Sequence, residues 1–308
     1  MIVICLCLTP VIVVLGLKAF QDREPRYAGK SLSAWLVELS NPDPAMEKQA
    51  RTAVHEMGTN AIPKLLKLMS AEDSSFKLQL IGWTDRQSWV RFNFPLASNE
   101  RAMAAEGFAV LGPEARSAVP ALSRLAQRDK DGFVGQALVH IGTEGVGALA
   151  QALANNNFEI KSKAIDGLIR YGVFYDLEHS NVSPQELATF SIHAQVATVP
   201  LLKVLQETNR LIRSKAILAL GWLRFEPRLV VPALITNLQS TTSGWMVQAS
   251  SITALGQFKS DAREAIPLLT NALSSPDPIV RARANTALIQ IDLETASKLG
   301  IKESEDPK

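Results

Sequence analysis

Cysteine is almost missing from this chain: its two copies, Cys5 and Cys7, both fall within the first seven residues. The rest can hold no disulfide, no thiolate metal site and no cysteine nucleophile. Aromatic residues reach only 6%, which fits a helical core packed with Ala and Leu better than a β architecture. Charge of one sign is not in excess, since 32 Lys and Arg face 30 Asp and Glu for a formal net charge of +2. That removes the general basic excess by which proteins gather phosphates, although it leaves room for a local stripe. No Gly-x-Gly-x-x-Gly after a strand, Walker-type loop or Gly-x-Ser-x-Gly elbow occurs. Gly142-Thr-Glu-Gly-Val-Gly147 comes nearest, but no strand-like run precedes it, and it reads as a helix-to-helix turn.

Repetition is what the chain has instead. Ile212-Arg-Ser-Lys-Ala-Ile-Leu-Ala-Leu-Gly221 is followed by Val230-Val-Pro-Ala-Leu-Ile-Thr-Asn-Leu238. The same text returns as Val247 to Gly256 and Ala265 to Leu273, so that Gly221 and Gly256, like Pro232 and Pro267, are 35 residues apart. Two helices per unit at a fixed period predict an all-α fold, an α-solenoid of stacked antiparallel helix pairs.

The chain opens on a different kind of segment. Ile2 to Leu17 carries no charge, slightly short of the ~20 residues that span a bilayer, and a snorkelling Lys18 with Ala19 and Phe20 extends it. We read residues 1–20 as an N-terminal apolar anchor helix, with a cleaved signal peptide as the alternative. Lys18, Arg23, Arg26 and Lys30 follow the run, and the positive-inside rule would then leave the body in the cytoplasm.

Residues 21–30 read as a polar linker, after which the solenoid is expected over 31–299. Ser31 offers an N-cap, and Leu32, Trp35, Leu36 and Leu39 form an amphipathic capping helix. The first full unit has inward stripes Ala50, Ala53, Val54, Met57 and then Ile62, Leu65, Leu66, Met69, with Gly58 between and Pro63 in the first turn of the second helix. Residues 70–99 interrupt the period with a helix expected near 75–89. They carry Trp83, Trp89, Phe92 and Phe94, the candidate partner surface. Further units pass through Gly112, Gly142 and Gly172, spaced by 30, and a second insertion is expected over 173–195, with Ser183-Pro184-Gln-Glu186 opening a short helix. Residues 300–308 read as a disordered, solvated tail.

The elements Val280-Arg281-Ala-Arg-Ala284, Ala254-Leu255-Gly256 and Ala118-Val119-Pro120-Ala-Leu122 resemble HEAT repeats, over about residues 42–295. The variety is similar to the short bacterial type also seen in phycobilin lyases. Tyr27-Ala-Gly-Lys30-Ser-Leu-Ser-Ala-Trp35-Leu36 resembles the opening of uncharacterised membrane-anchored bacterial HEAT-repeat proteins. The resemblance implies an Asp–Arg ladder between units, matched here by Asp277 and Arg281 and in part by Arg213 and Arg91. It also leans toward an extracytoplasmic body, against the charge rule.

Four histidines, His55, His140, His179 and His193, are too few for layered metal ligation. HEAT-like deoxyhypusine hydroxylases bind iron through several His-Glu pairs, whereas this chain has His55-Glu56 and the reversed Glu178-His179. His140 is expected to fill a layer, and His179 and His193 to be solvated. No catalytic, cofactor-binding or metal residue is nominated. The expectation is a non-enzymatic, membrane-tethered scaffold that binds a protein partner through Trp83, Trp89, Phe92, Phe94 and the polar side of the second helices. The alternative is a lyase-like or chaperone-like accessory subunit handling a cofactor. Nucleic-acid binding ranks below both, because Lys64, Lys67, Arg124, Gln151, Lys203, Asn237 and Asn271 make that side only mildly basic at one end.

Overall fold

The computed structural model describes residues 24–75, 77–79, 96–129, 131–178, 184–240 and 244–301, with only the backbone of 174–178 and 184–189. The apolar run 1–20 therefore lies outside the described residues, as do Trp83, Trp89, Phe92, Phe94, Arg91 and His179. Among the described residues no helix is long and apolar enough to cross a membrane. The chain divides into two compact units, one running to Ala115 and one from Arg116.

The first unit begins with a hairpin, although residues 21–30 read as a linker. Strands β1 (Arg26–Tyr27) and β2 (Lys30–Ser31) pair antiparallel, Tyr27 opposite Lys30. Ala28 and Gly29 between them both take positive φ, the backbone of a two-residue turn matched to strand twist. Ser31 then caps α1 (Leu32–Glu38) and buries Leu32, Trp35 and Leu36. Asp43 at the N-cap and Pro44 at the first helical position start α2 (Pro44–Met57), whose buried face is Ala50, Ala53, Val54 and Met57, as the spacing predicts. Gly58 ends it at φ +53, and a 3₁₀ turn (Gly58–Ala61) leads to α3 (Ile62–Met69). There Leu68 is buried with Ile62, Leu65 and Met69, while Leu66 is only half-buried. The stripe in this short helix thus follows i, i+3, i+6, i+7.

In α4 (Ala97–Leu111), Gly107 lets the backbone reach α1 and α3. A Cβ there would stand 2.5 Å from Leu65 Cδ2 and 2.9 Å from Leu36 Cδ2. The start of α4 is capped from a distance, because the Asp73 carboxylate accepts the Ala97 N–H at 3.0 Å. Lys77, together with that amide and Arg101, holds the Asp73 pKa below its usual value against some burial.

The second unit carries the repeat. Its first-position helices are α6 (Phe133–His140), α8 (Phe158–Glu178), α10 (Arg210–Leu223), α12 (Gly244–Gln257) and α14 (Pro278–Ile291), each stacked on the next. Its second-position helices are α5 (Val119–Ala126), α7 (Thr143–Ala152), α9 (Pro184–Val204), α11 (Pro227–Gln239) and α13 (Ile266–Ala272), and α15 (Leu293–Lys298) follows α14. Pro120 and Pro267 sit in the first turn of their helices, after 3₁₀ segments Gly112–Ala118 and Lys259–Ala265. The N–H groups of a helix's first turn lack an intrahelical acceptor, so one missing at the second residue costs little.

Pro200 and Pro232 behave differently. The sequence places helix starts beside them, yet both lie inside continuous helices, α9 and α11. In α9 the buried residues Phe190, Ala194, Ala197, Leu201 and Val204 keep one unbroken stripe, and its burial outweighs the hydrogen bond that an interior proline removes. The expected insertion at 173–195 is accordingly helix for most of its length: α8 runs on to Glu178 and α9 begins at Pro184.

The glycines divide in the same way. Gly112 and Gly142 take positive φ at helix ends, as their spacing predicts. Gly172, Gly221 and Gly256 are interior, and each marks a close crossing between stacked helices. A Cβ on Gly172 would meet Trp222 Cβ at 2.6 Å, and one on Gly256 would meet Ala287 Cα at 3.1 Å. Gly135 and Gly167 face one another in the same manner between α6 and α8. These residues are glycine because a neighbouring backbone occupies the side-chain space, and no turn is involved.

Candidate partner-binding surface

In the second unit the stacked helices run side by side and in the same direction. The buried hydroxyls of Ser214 and Ser250, in the first halves of α10 and α12, meet at 2.6 Å. Lys215 in α10 reaches back to α8, where it donates to the Ser162 hydroxyl at 2.8 Å and Asp166 Oδ2 at 2.7 Å. Gly221 meets Ala254 near the other ends of α10 and α12. Early residues touch early ones and late touch late, so the N-terminal turns of α8, α10, α12 and α14 share one edge.

That edge presents a row of large apolar side chains. Phe158, Leu211, Trp245 and Ile279 occupy the first or second position of those four helices and are 43% to 48% exposed. The next buried residues, Ile212 and Val280, already point into the core, so the exposed members stand just outside each helix's packed stripe. Single exposed apolar residues are common; one at the same place in four successive first-position helices is a repeated surface feature.

The caps along the edge are polar and self-contained. Asn209 accepts from the Leu211 and Ile212 N–H groups, and Asp277 from those of Ile279 and Val280. Arg281 donates to the carbonyls of Ser275 and Pro276, in the loop before its own helix, at 2.6 and 2.9 Å. Arg213, four residues after its cap, likewise reaches the Glu207 carbonyl at 3.5 Å. The expected Asp277–Arg281 ladder between units is thus a local loop clamp, because a cap carboxylate already engaged by two amides leaves the arginine to the loop carbonyls.

At one end of the row an open cleft of about 500 Å³ is lined by Asp129, Asp131, Phe158, Glu159, Asp166 and Arg170. Its charges are committed inside the protein. Asp129, 5% exposed, accepts the N–H groups of Asp131, Gly132 and Val134. Arg170 donates to the Asp131 carbonyl, Lys163 pairs with Glu159 at 3.1 Å, and Lys215 pairs with Asp166. A partner would meet four carboxylates against Lys163 and Arg170, a mildly acidic mosaic around the Phe158 ring.

His193 is a correction to the sequence reading. It is buried in α9, with Nδ1 2.7 Å from the Tyr171 hydroxyl. Burial lowers its pKa, opposed by the Glu144 carboxylate. The signal was available: His193 falls on the stripe of Phe190, Ala194 and Ala197, and an insertion reading hid it. His55 is exposed on α2, its Nε2 3.9 Å from Glu114 Oε1. Among the described residues no three His, Cys, Asp or Glu side chains are grouped to hold a metal ion. Lys67, Arg124, Gln151, Lys203 and Asn271 are exposed on the second helices; Lys64 is half-buried and paired with Glu24, and Asn237 is half-buried.

Residues 231–299 match the family model for HEAT repeats, and over that stretch the chain is built of HEAT repeats. No curated protein matches it. Among solved structures, an engineered protein from the Northeast Structural Genomics Consortium is similar at 19% identity, covering 86% of this chain and 97% of its own, with a TM-score of 0.40. A designed armadillo repeat protein is similar at 16% identity over 85% of this chain and 100% of its own, TM-score 0.40. Human deoxyhypusine hydroxylase in complex with glycerol gives 16% identity over 85% and 96%, TM-score 0.29. With scores below 0.5, the fold assignment rests on the repeat match and the observed helix pairs. Stacked repeats of this kind form a protein-interaction architecture.

Proposed function

We propose that this protein is a non-enzymatic, membrane-tethered scaffold that binds a protein partner along the edge formed by Phe158, Leu211, Trp245 and Ile279. The supporting observation is the recurrence of one exposed apolar side chain at the start of four stacked helices. A repeat array presents equivalent positions at regular intervals, which suits an elongated partner. The uncharged run Ile2–Leu17 supports the tether. In this reading Trp83, Trp89, Phe92 and Phe94 supply a second contact.

The test is capture from detergent-solubilised lysate on the full chain held in nanodiscs, with mass spectrometry of what is retained. The control is the same chain carrying Leu211→Ser and Trp245→Ser. Exposed substitutions of this kind change stability by only about 0.5 kcal/mol, so loss of binding is separable from loss of fold. One dominant protein, retained by the native chain and at least tenfold depleted on the variant, is the expected result. Equal retention by both would remove the edge from the reading, and a Trp83→Ser, Trp89→Ser chain would then test the second contact.

A further inference from the structure

The described chain begins under tight restraint. Glu24 Oε2 accepts the Ser33 N–H at 3.0 Å, and Oε1 accepts the Ser33 hydroxyl at 2.9 Å and pairs with the Lys64 ammonium of α3. Burial acts to raise the Glu24 pKa, and Lys64 with the two Ser33 donors outweighs it, so the carboxylate stays ionised below its ordinary range. One residue later the Pro25 carbonyl accepts the Leu32 N–H at 2.9 Å. From Glu24 onward the chain is fastened to the first repeat.

The hairpin projects beyond this clamp. Arg26, Tyr27, Ala28, Gly29 and Lys30 are all exposed, while Trp35 Nε1 grips the Tyr27 carbonyl at 3.0 Å and fixes the base. The Lys30 ammonium lies 4.5 Å from the Trp35 ring centre and 3.8 Å from Glu38, leaving it 45% exposed. An arginine, a tyrosine and a lysine on one short tip are the residue types that settle at a bilayer interface.

Length links tip and membrane. The uncharged run ends at Leu17, and seven residue steps to Glu24 reach at most about 25 Å when fully extended. Beyond the ~30 Å hydrocarbon core, the headgroup layer on each side takes up roughly 5–8 Å of that reach.

We propose that the hairpin tip Arg26–Lys30 is a membrane-facing foot that rests among anionic lipid headgroups, with the Glu24–Ser33–Lys64 clamp setting its stance. This rests on the tether reading above. The occupant is the bilayer because the tip is cationic and aromatic, and because the chain leading into it cannot carry it far from an anchored Leu17.

The test uses the full chain with Cys5→Ser, Cys7→Ser and Ala28→Cys, a single thiol carrying an environment-sensitive fluorophore. It is reconstituted into phosphatidylcholine vesicles with 30% phosphatidylglycerol and a headgroup quencher. Sedimentation with vesicles is read first: a chain left in the supernatant ends the tether reading, and the foot with it. For a chain that pellets, the expected result is at least half of the emission quenched. Adding Arg26→Ser and Tyr27→Ser should cut that quenching at least twofold with pelleting unchanged. Glu24→Gln should do the same, with circular dichroism matching the parent. A pelleted chain whose probe is quenched no more than free dye overturns the foot and leaves the tether standing. Quenching unmoved by Glu24→Gln overturns the clamp's part in it.

Discussion

Gly221 in α10 lies directly against Ala254 in α12: a Cβ on the glycine would stand 2.7 Å from both the Cα and the Cβ of Ala254. That gap is shorter than any real Cβ contact, so one helix must move to admit even a methyl group.

Gly221→Ala is therefore expected to destabilise the second unit by about 1–3 kcal/mol, the usual cost of overpacking. Gly147 in α7 is the matched control, since a Cβ there meets nothing within 4 Å. Gly147→Ala should stabilise by about 0.5–1 kcal/mol through helix propensity alone. Urea midpoints read both, and the two shifts should have opposite signs.

The contrast also shows which parts of the fold were legible. Pro63, Pro120 and Pro267 announced helix starts correctly because a first-turn proline is a local matter. Pro200 and Pro232 misled, since only the neighbouring layers decide whether a buried stripe outweighs a missing amide. Gly58, Gly112 and Gly142 read correctly as ends through their backbone angles. Gly172, Gly221 and Gly256 look the same in sequence but answer to helices 31 to 50 residues away. The apolar edge was hidden for a related reason: Leu211 beside Ile212, or Ile279 beside Val280, reads as one continuous stripe until packing divides them.

The Ser214–Ser250 pair supports a double-mutant test. Both hydroxyls are buried and 2.6 Å apart. Ser214→Ala alone leaves Ser250 short of a partner in a dry contact and should cost about 1–3 kcal/mol. Ser214→Ala with Ser250→Ala removes both polar groups, so the pair should cost clearly less than the two singles summed. Strict additivity would show that the hydroxyls are not coupled.

Asp129, almost fully buried, accepts three backbone N–H groups at the entry to α6: those of Asp131 and Gly132 in the loop and of Val134 in the helix's first turn. Asp129→Ala should cost about 2 kcal/mol, at the upper end for a cap because the stranded amides have little water nearby. Hydrogen exchange should show the added opening first at Gly132 and Val134.

His193 gives the second unit a pH dependence. Its folded pKa lies below the unfolded value because burial penalises the imidazolium, so the unfolded chain binds the extra proton first. The stability it contributes is complete above about pH 6.5, the ordinary histidine value, and is lost as pH falls toward the folded pKa. Thermal unfolding between pH 7.5 and 5 should show this loss, and His193→Gln should flatten it. Tyr171→Phe should weaken the native chain at pH 7.5 by about 1 kcal/mol through the lost hydroxyl bond.

The side-by-side arrangement from α6 to α14 has a mechanical consequence. A load carried across the stack, from helix to helix, passes through their interfaces in series, so each bears the full force and the weakest yields first. All four interfaces of the series have a glycine at which helices touch closely, so none has much room to creep before it breaks. Under a pull the stack should therefore extend little and then part abruptly at one interface.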